Sequence, residues 1–167
     1  MRMAEFKDKV TRLKNEIIGS MPDMLEDDVN NILIPAIVER IRSSGKKSGD
    51  GNFSSYKDYW ANVRAKNGRQ TGFKDFTFLG NLLDSLKVNG NVLSDGRGRF
   101  RVSYDFLGKV KDGDGRAPRK DGDRDARWVA SGHSEREGTV ISQMTEQEKK
   151  DLYDRIYKWL ESKVITL

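Results

Sequence analysis

The chain carries few of the side chains with which proteins usually perform covalent or metal chemistry. It contains one histidine, His133, and no cysteine. The lack of cysteine excludes disulfides, thiolate zinc sites and cysteine nucleophiles, and a single histidine excludes two-histidine metal sites within one chain. Serines and Glu135 lie near His133, but no G-x-S-x-G nucleophile elbow is present. We therefore interpret His133 as a structural or surface residue.

Aspartates recur between residues 112 and 125, where their spacing invites comparison with a calcium-binding loop. An EF-hand loop needs glycine at its sixth position and glutamate at its twelfth. Counted from Asp121, these positions hold Ala126 and Gly132. The interleaved Arg and Lys side chains would also repel a cation. Gly96-x-Gly98 lacks the third glycine of a dinucleotide-binding loop. We expect no catalytic residue, no metal ligand and no cofactor, and hence no enzyme; a carboxylate–metal nuclease is only the third hypothesis.

Positive charge is concentrated in two regions of the sequence. Residues 40–74 carry 9 basic and 2 acidic side chains, and residues 97–127 carry 10 and 6, in a chain of formal net charge +5. Such regions suit contact with an anionic surface, although solvated loops explain them equally simply. Five residues of the second region are our candidates for contact with a DNA channel or a partner: Arg97, Arg99, Arg116, Arg119 and Lys120.

Residues 53–78 hold seven of the 15 aromatic side chains, interleaved with Lys and Arg. Aromatic rings among cations can stack bases and neutralise phosphates of single-stranded nucleic acid. Burial in a core explains the same residues, because Phe53, Tyr56, Trp60 and Val63 recur at helical spacing. Both interpretations remain open from the sequence alone.

Helical periodicity dominates residues 1–66. Phe6, Val10, Leu13 and Ile17 predict a first helix that ends at Gly19-Ser20. Ser20 and Pro22 favour the start of a second helix, which Pro35 should kink or break. A third helix should begin at a capping box of Ser55 with Asp58 and end at Asn67-Gly68. A short fourth helix should start at Thr77 and carry Leu79, Leu82, Leu83 and Leu86.

The second half of the chain changes to strand periodicity before its last helix. We predict a tight hairpin turning at Asn89-Gly90, a second turn over residues 94–98, and a strand in which Phe100, Val102, Tyr104 and Phe106 alternate with polar residues. Residues 128–130 and 139–141 are expected to form short strands or turns. The closing helix should start at a Thr145/Glu148 capping box and pack the stripe Leu152, Ile156, Trp159, Leu160 and Val164 on the aromatic strand.

This order of elements predicts a single α+β domain over residues 1–167. It consists of a helical N-terminal part, residues 1–66, and a sheet-containing part, residues 74–167, in which a short helix leads into a small antiparallel β-meander and a closing C-terminal helix. Residues 45–52 and 111–127 are expected to be flexible loops, because they are rich in glycine and charge and poor in large apolar side chains.

Residues 74–88, KDFTFLGNLLDSLKV, resemble the D-x-T-x-x-G-x-L-x-x-S-L segment of tail-completion and head–tail joining proteins of tailed bacteriophages. In that family the segment is a short helix entering an antiparallel sheet. The strand ending in Tyr104-Asp105-Phe106-Leu107-Gly108 is similar to the aromatic strand that follows it there. Residues 127–135, RWVASGHSE, and the closing helix are similar to the last part of related virion-morphogenesis proteins, so the resemblance spans roughly residues 70–165.

The resemblance implies a structural virion protein that forms a ring at the head–tail neck or completes the tail. Its partners would be copies of itself, portal or connector and tail proteins, and packaged DNA contacted non-specifically, without a membrane. It would be assembled in the host cytoplasm and located in the virion. The alternative from a different class is a non-specific nucleic-acid-binding module, which the sequence pI of about 9.4 favours.

Overall fold

The computed structural model describes residues 3–76, 82–95, 99–110, 124–138 and 140–165. Its architecture is α+β, as the sequence predicts. The described residues form five α-helices and short antiparallel strand pairs. The helices are α1 (Met3–Asp28), α2 (Ile34–Ser44), α3 (Asp58–Lys66), α4 (Ala126–Glu137) and α5 (Glu146–Val164). Thr77 and Leu79, the predicted start of the short fourth helix, lie outside the described residues. The rest of that prediction corresponds to a single 3-10 turn, Leu83–Ser85.

Helix α1 is continuous, so the predicted boundary at Gly19-Ser20 is wrong. Ser20 does not cap a new helix; its hydroxyl donates to the carbonyl of Glu16 at 2.7 Å, within the helix. Met21 and Leu25 are buried beyond this point and belong to one uninterrupted face. Their burial outweighs the helix penalty of a single glycine, which is about 1 kcal/mol.

The interruption that Pro35 predicts is present as a turn of π-helix, Val29–Leu33, between α1 and α2. The amide of Ile34 donates to the carbonyl of Val29, one residue further back than in an α-helix. Pro35 therefore lies in the first turn of α2, directly after the π turn, which accommodates a residue that has no N–H to donate. Gly45 ends α2 with φ of 62°, and an added Cβ would lie 2.3 Å from the Phe73 ring, so both the backbone and the space require glycine.

Residues 45–53 turn back on themselves. Phe53 N–H donates to the carbonyl of Gly45 at 2.7 Å, and Lys47 N–H donates to that of Gly51 at 3.1 Å. Helix α3 follows, but Lys57 occupies its N-cap position without a side-chain hydrogen bond, so the predicted Ser55/Asp58 capping box is wrong. The predicted end at Asn67-Gly68 is confirmed.

The strands form three antiparallel pairs rather than a meander turning at Asn89-Gly90. Strand β1 (Leu86–Val88) pairs with β4 (Tyr104–Phe106), and β2 (Leu93–Ser94) pairs with β3 (Phe100–Arg101). These pairs form one interrupted hairpin, and Asn89 lies within its first arm, where its amide donates to the carbonyl of Ser103. The arms meet again at Asp95 and Arg99, where the amide of Asp95 donates to the carbonyl of Arg99 at 3.2 Å, and residues 96–98 of the predicted turn lie outside the described part.

A third pair joins β5 (Lys109–Val110) to β6 (Arg124–Asp125), which leads directly into α4. Residues 124–127 are thus strand and helix rather than part of the predicted loop; residues 111–123 of that loop lie outside the described ranges. The expectation of strands or turns at residues 128–130 is also wrong. Asp125 caps the helix by accepting from the amide of Trp128 at 3.1 Å, and burial of Ala126 and Ala130 fixes one helix face.

The capping box that starts α5 is confirmed, with both reciprocal Thr145–Glu148 hydrogen bonds present. The prediction that α5 packs on the aromatic strand is wrong, because α5 lies along α1. Arg155 pairs with Asp28 at 2.9 Å and Lys163 with Glu16 at 2.7 Å. Leu152, a member of the predicted stripe, is partly buried and packs against the main core. The aromatic strand instead lies against α4 and the buried cluster of the helical part.

That core joins the two parts of the chain. Its buried apolar members come from the helical segments, the hairpin and the loops between them, among them Val29, Ile37, Ile41, Phe53, Leu83, Leu86, Phe106, Ala126 and Ile141. Within the described ranges, no helix combines the length and the apolar character needed to cross a bilayer.

Candidate partner and nucleic-acid interface

The hairpin has a core face and a charged outer face. Leu86 and Phe106 are opposite each other and buried, whereas Lys87 and Asp105 form the next pair and point away from the core. Arg127, at the start of α4, reaches Asp105 with its Nε 2.6 Å from the carboxylate. Neighbouring strands and α4 therefore place basic side chains on one exposed part of the molecule.

Arg99 is the one candidate contact residue that the described ranges include. Its side chain is 90% exposed beside the hairpin reversal, and its Nε is 3.8 Å from the carboxylate of Asp95. Asp95 also closes the turn, because its Oδ1 accepts from the amide of Arg99 at 3.1 Å. Arg97, Arg116, Arg119 and Lys120 lie outside the described residues.

The position of Arg99 gives the hairpin the chemistry of a phosphate-binding surface. Arg101 is also exposed, two residues further along the same arm, and Lys87 is exposed on the opposite arm. Guanidinium and ammonium groups presented from strand backbones attract phosphates without distinguishing bases. An anionic partner would meet these charges beside the carboxylates of Asp95 and Asp105, which pair with Arg99 and Arg127.

The predicted stacking surface of residues 53–78 is not assembled. Phe53 and Phe76 are both buried, with their rings edge to face at a centroid distance of 5.1 Å. Arg64 is only 1% exposed, so its charge is not available to a phosphate. Tyr59 is 67% exposed, beside Trp60, and Phe78 lies outside the described residues. The core interpretation is therefore correct for Phe53 and Phe76.

Arg64 belongs to a buried polar cluster that sequence patterns do not reveal. Its guanidinium donates to Asp75 at 2.6 Å and to the carbonyl of Gln70 at 2.7 Å, and it lies over the ring of Tyr56. Tyr56 donates to Asp75 at 2.9 Å. Burial, followed by the charge of Asp75, raises the pKa of Tyr56 to about 12. The cluster joins α3 to the segment that follows it.

A second buried cluster is centred on Glu137, the last residue of α4. Its carboxylate accepts from Lys74 at 2.6 Å and from the amide and hydroxyl of Ser54 at 2.9 and 2.6 Å. Burial alone would raise the pKa of Glu137, but the hydrogen bonds from Lys74 and Ser54 outweigh it and hold the pKa at about 2. Glu137 thus joins three segments that are distant in sequence.

The structure places His133 in a packing environment. Its ring meets that of Phe76 edge to face at 5.1 Å, and its Nδ1 lies 3.4 Å from a guanidinium nitrogen of Arg136. The hydroxyl of neighbouring Ser134 accepts from the amide of Ile141. Over the described residues, no three acidic or histidine side chains form a group that could hold a metal ion.

No family model, curated protein or solved structure matches the chain.

Proposed function

We propose that the protein is a structural virion protein of a tailed bacteriophage that forms a ring at the head–tail neck or completes the tail. It would be assembled in the host cytoplasm, and its partners would be further copies of itself and the portal, connector or tail proteins beside it. The proposal assigns no catalytic role and no cofactor.

The order of elements over residues 82–106 carries the proposal. The 3-10 turn Leu83–Ser85 runs without a break into β1, and the aromatic strand β4 pairs back onto it. A short helical segment that enters an antiparallel hairpin is the arrangement that the sequence resemblance implies for residues 74–88. The capped C-terminal helix occupies the corresponding closing position.

Exposed apolar side chains give secondary support. Leu93 on the hairpin and Trp128 on α4 are 64% and 63% exposed, and Tyr153 and Tyr157 on α5 are similarly open. Tyr153 and Tyr157 are neighbours one helical turn apart, and contiguous exposed apolar surface of this kind marks protein–protein contacts. A subunit that uses different surfaces for its two neighbours assembles head to tail, which closes into a ring when the rotation permits.

Light scattering combined with negative-stain imaging tests the proposal directly. The full chain should have a mass that is a multiple of 19.0 kDa and rises with concentration, and it should form closed rings. Leu93→Ser with Trp128→Ser should reduce assembly without a large loss of melting temperature. Tyr59→Ser, at a site of similar exposure, is the matched control. A monomer at all concentrations, unaffected by the double variant, would contradict the proposal.

A non-specific nucleic-acid-binding module is the second candidate, and the exposure of Arg99 and Arg101 on the hairpin favours it. A stable monomer that binds duplex DNA at low salt would make it the better proposal. Closed rings favour the virion protein, and a DNA-binding monomer favours the module.

A further inference from the structure

The first turns of α1 present an apolar stripe that nothing within the described chain covers. Met3, Phe6 and Val10, which we call the open stripe, are 72%, 47% and 42% exposed. Their spacings of three and four continue in Leu13 and Ile17, which are half-buried. Spacings that alternate between three and four residues place all five side chains on one side of a helix, as in the seam of a coiled coil.

Helix α5 covers only the later part of this seam. The two helices are antiparallel, since Arg155 pairs with Asp28 while Lys163 pairs with Glu16. The open stripe lies beyond the Lys163–Glu16 pair, two turns further towards the start of α1. Val164 and Ile165 are also exposed at this end of α5. The uncovered apolar surface therefore continues one that α5 already fills.

The charges flanking the seam show what kind of helix it can accept. At 3.6 residues per turn, Lys7 and Lys14 border one side of the seam and Lys9 borders the other, at the positions called e and g in a heptad. All three side chains are exposed. Asp8, by contrast, lies on the opposite side of the helix. An incoming helix thus meets apolar residues flanked by these lysines, since Glu16, the next residue on the Lys9 side, already pairs with Lys163 of α5.

These flanks disfavour a second copy of the same stripe. In a parallel pair, Lys9 of one copy would face Lys14 of the other. In an antiparallel pair that aligns the two open stripes, Lys9 would face Lys9, and Lys7 would face Lys7. Like charges at these positions are destabilising, whereas glutamates there form interhelical ion pairs.

We propose that the open stripe is the docking site for an amphipathic helix of a partner protein whose flanking residues are acidic. The partner helix packs along α1 where α5 stops, with its apolar side on Phe6 and Val10 and its carboxylates beside Lys7 and Lys14. This is recognition of a helix by an apolar face, with specificity supplied by charge. The inference does not depend on a role in the virion.

Two designed peptides test the proposal on the full chain. Both are about three heptads long, with leucine and isoleucine in the seam; one carries glutamate and the other lysine at the e and g positions. In a fluorescence-anisotropy titration, the acidic peptide should bind at least tenfold more tightly than the basic one. The difference should shrink as salt is raised.

Three variants locate the binding surface. Val10→Glu should weaken binding of the acidic peptide at least tenfold, whereas Val140→Glu, at an exposed valine between α4 and α5, should leave it unchanged. Lys7→Glu with Lys14→Glu should reverse the preference in favour of the basic peptide. This last variant changes only exposed charges, so it tests the site even where Val10→Glu perturbs the helix.

The proposal is overturned if neither peptide binds or if both bind equally well. It is also overturned if the double lysine variant keeps the original preference. If Val10→Glu instead dissociates an oligomer of the protein, the stripe belongs to a contact between copies of this chain.

Discussion

At the scale of single residues, Glu137 has a larger structural role than its position at a helix end suggests. Its carboxylate receives hydrogen bonds from Lys74 and Ser54, and its carbonyl receives one from Lys47 at 2.7 Å. One residue therefore holds the loop after α2 and the segment after α3 against the end of α4. Because these partners come from distant parts of the chain, no spacing in the sequence identifies them.

The lowered pKa of Glu137 makes its contribution to stability depend on pH. The pKa is about 2 in the folded protein against an ordinary value of 4.5, so the stabilisation is complete above pH 4.5 and is lost as the pH falls through about 2. The difference corresponds to about 3 kcal/mol. In urea unfolding, the stability advantage of the natural protein over Glu137→Gln should be constant from pH 7 to 5 and shrink by pH 2.5.

Glu146→Gln is the matched control, because the Glu146 side chain is 89% exposed and its ion pair is with a surface lysine, Lys149. Its effect should be small at every pH, as for most surface ion pairs. A Glu137→Gln effect that stayed the same between pH 7 and pH 2.5 would show that the carboxylate charge is not what Lys74 and Ser54 stabilise.

The buried ion pair of Arg64 with Asp75 predicts how much stability is lost when one of two buried charges is removed. Replacing Arg64 by methionine should lower the free energy of unfolding by about 3–5 kcal/mol, because Asp75 keeps a buried charge without its cation. The double variant Arg64→Met with Asp75→Asn should be more stable than Arg64→Met alone. Arg42→Met, in a largely exposed pair with Asp84, is the control and should cost under about 1 kcal/mol.

Chemical unfolding of the four proteins at neutral pH measures these differences. If the double variant is less stable than Arg64→Met, then hydrogen bonding by Asp75 rather than its uncompensated charge dominates the cluster.

At the scale of elements, local signals predict some helix ends correctly and others, such as Gly19-Ser20, wrongly, and they do not predict packing partners. The Thr145/Glu148 capping box and the Asn67-Gly68 stop are found where they are predicted, because both depend on residues within one turn. The apolar stripe of α5 is also real, but its spacing does not specify which surface covers it. In the structure α5 packs along α1, where it forms ion pairs with Asp28 and Glu16, rather than on the aromatic strand.

The same distinction explains the hairpin. Asn89-Gly90 satisfies the local preferences of a tight turn, yet pairing of β1 with β4 buries Leu86 opposite Phe106. That long-range burial outweighs a two-residue turn preference. The candidate contact surface also combines local and long-range information. The sequence indicates that Arg99 is accessible, but only the fold brings Lys87 and Arg127 to one face.

The capping box at the start of α5 provides the prediction at this scale. Thr145→Ala should lower the free energy of unfolding by about 0.5–2 kcal/mol, because the amide of Glu148 loses its acceptor. Thr11→Ala is the control. Its hydroxyl only donates back to the carbonyl of Lys7 within α1, so its loss should be neutral or slightly stabilising. Thermal melts of both variants decide the comparison, and equal effects would contradict a capping role.

At the scale of the whole molecule, the uneven charge distribution determines how the protein meets a polyanion. Arg101 lies on β3 and Arg99 directly precedes it, so these exposed arginines come from a hairpin that presents charge to phosphates rather than from a recognition helix. Any binding to duplex DNA should therefore be independent of sequence. It should also weaken steeply with salt, because each phosphate contact releases a condensed counterion.

Serine replacement of Arg97, Arg99, Arg116, Arg119 and Lys120 together should weaken binding to random duplex at low salt and flatten the dependence of log affinity on log salt. If all five residues contact phosphates, the slope should fall by about 4 to 5. Lys149→Ser with Lys150→Ser is the control, because these lysines already pair with Glu146 and Asp154 on α5. Anisotropy titrations at several salt concentrations measure both slopes. Affinity that persists at physiological salt and differs between two duplex sequences would contradict the prediction, because charge alone cannot tell one duplex from another.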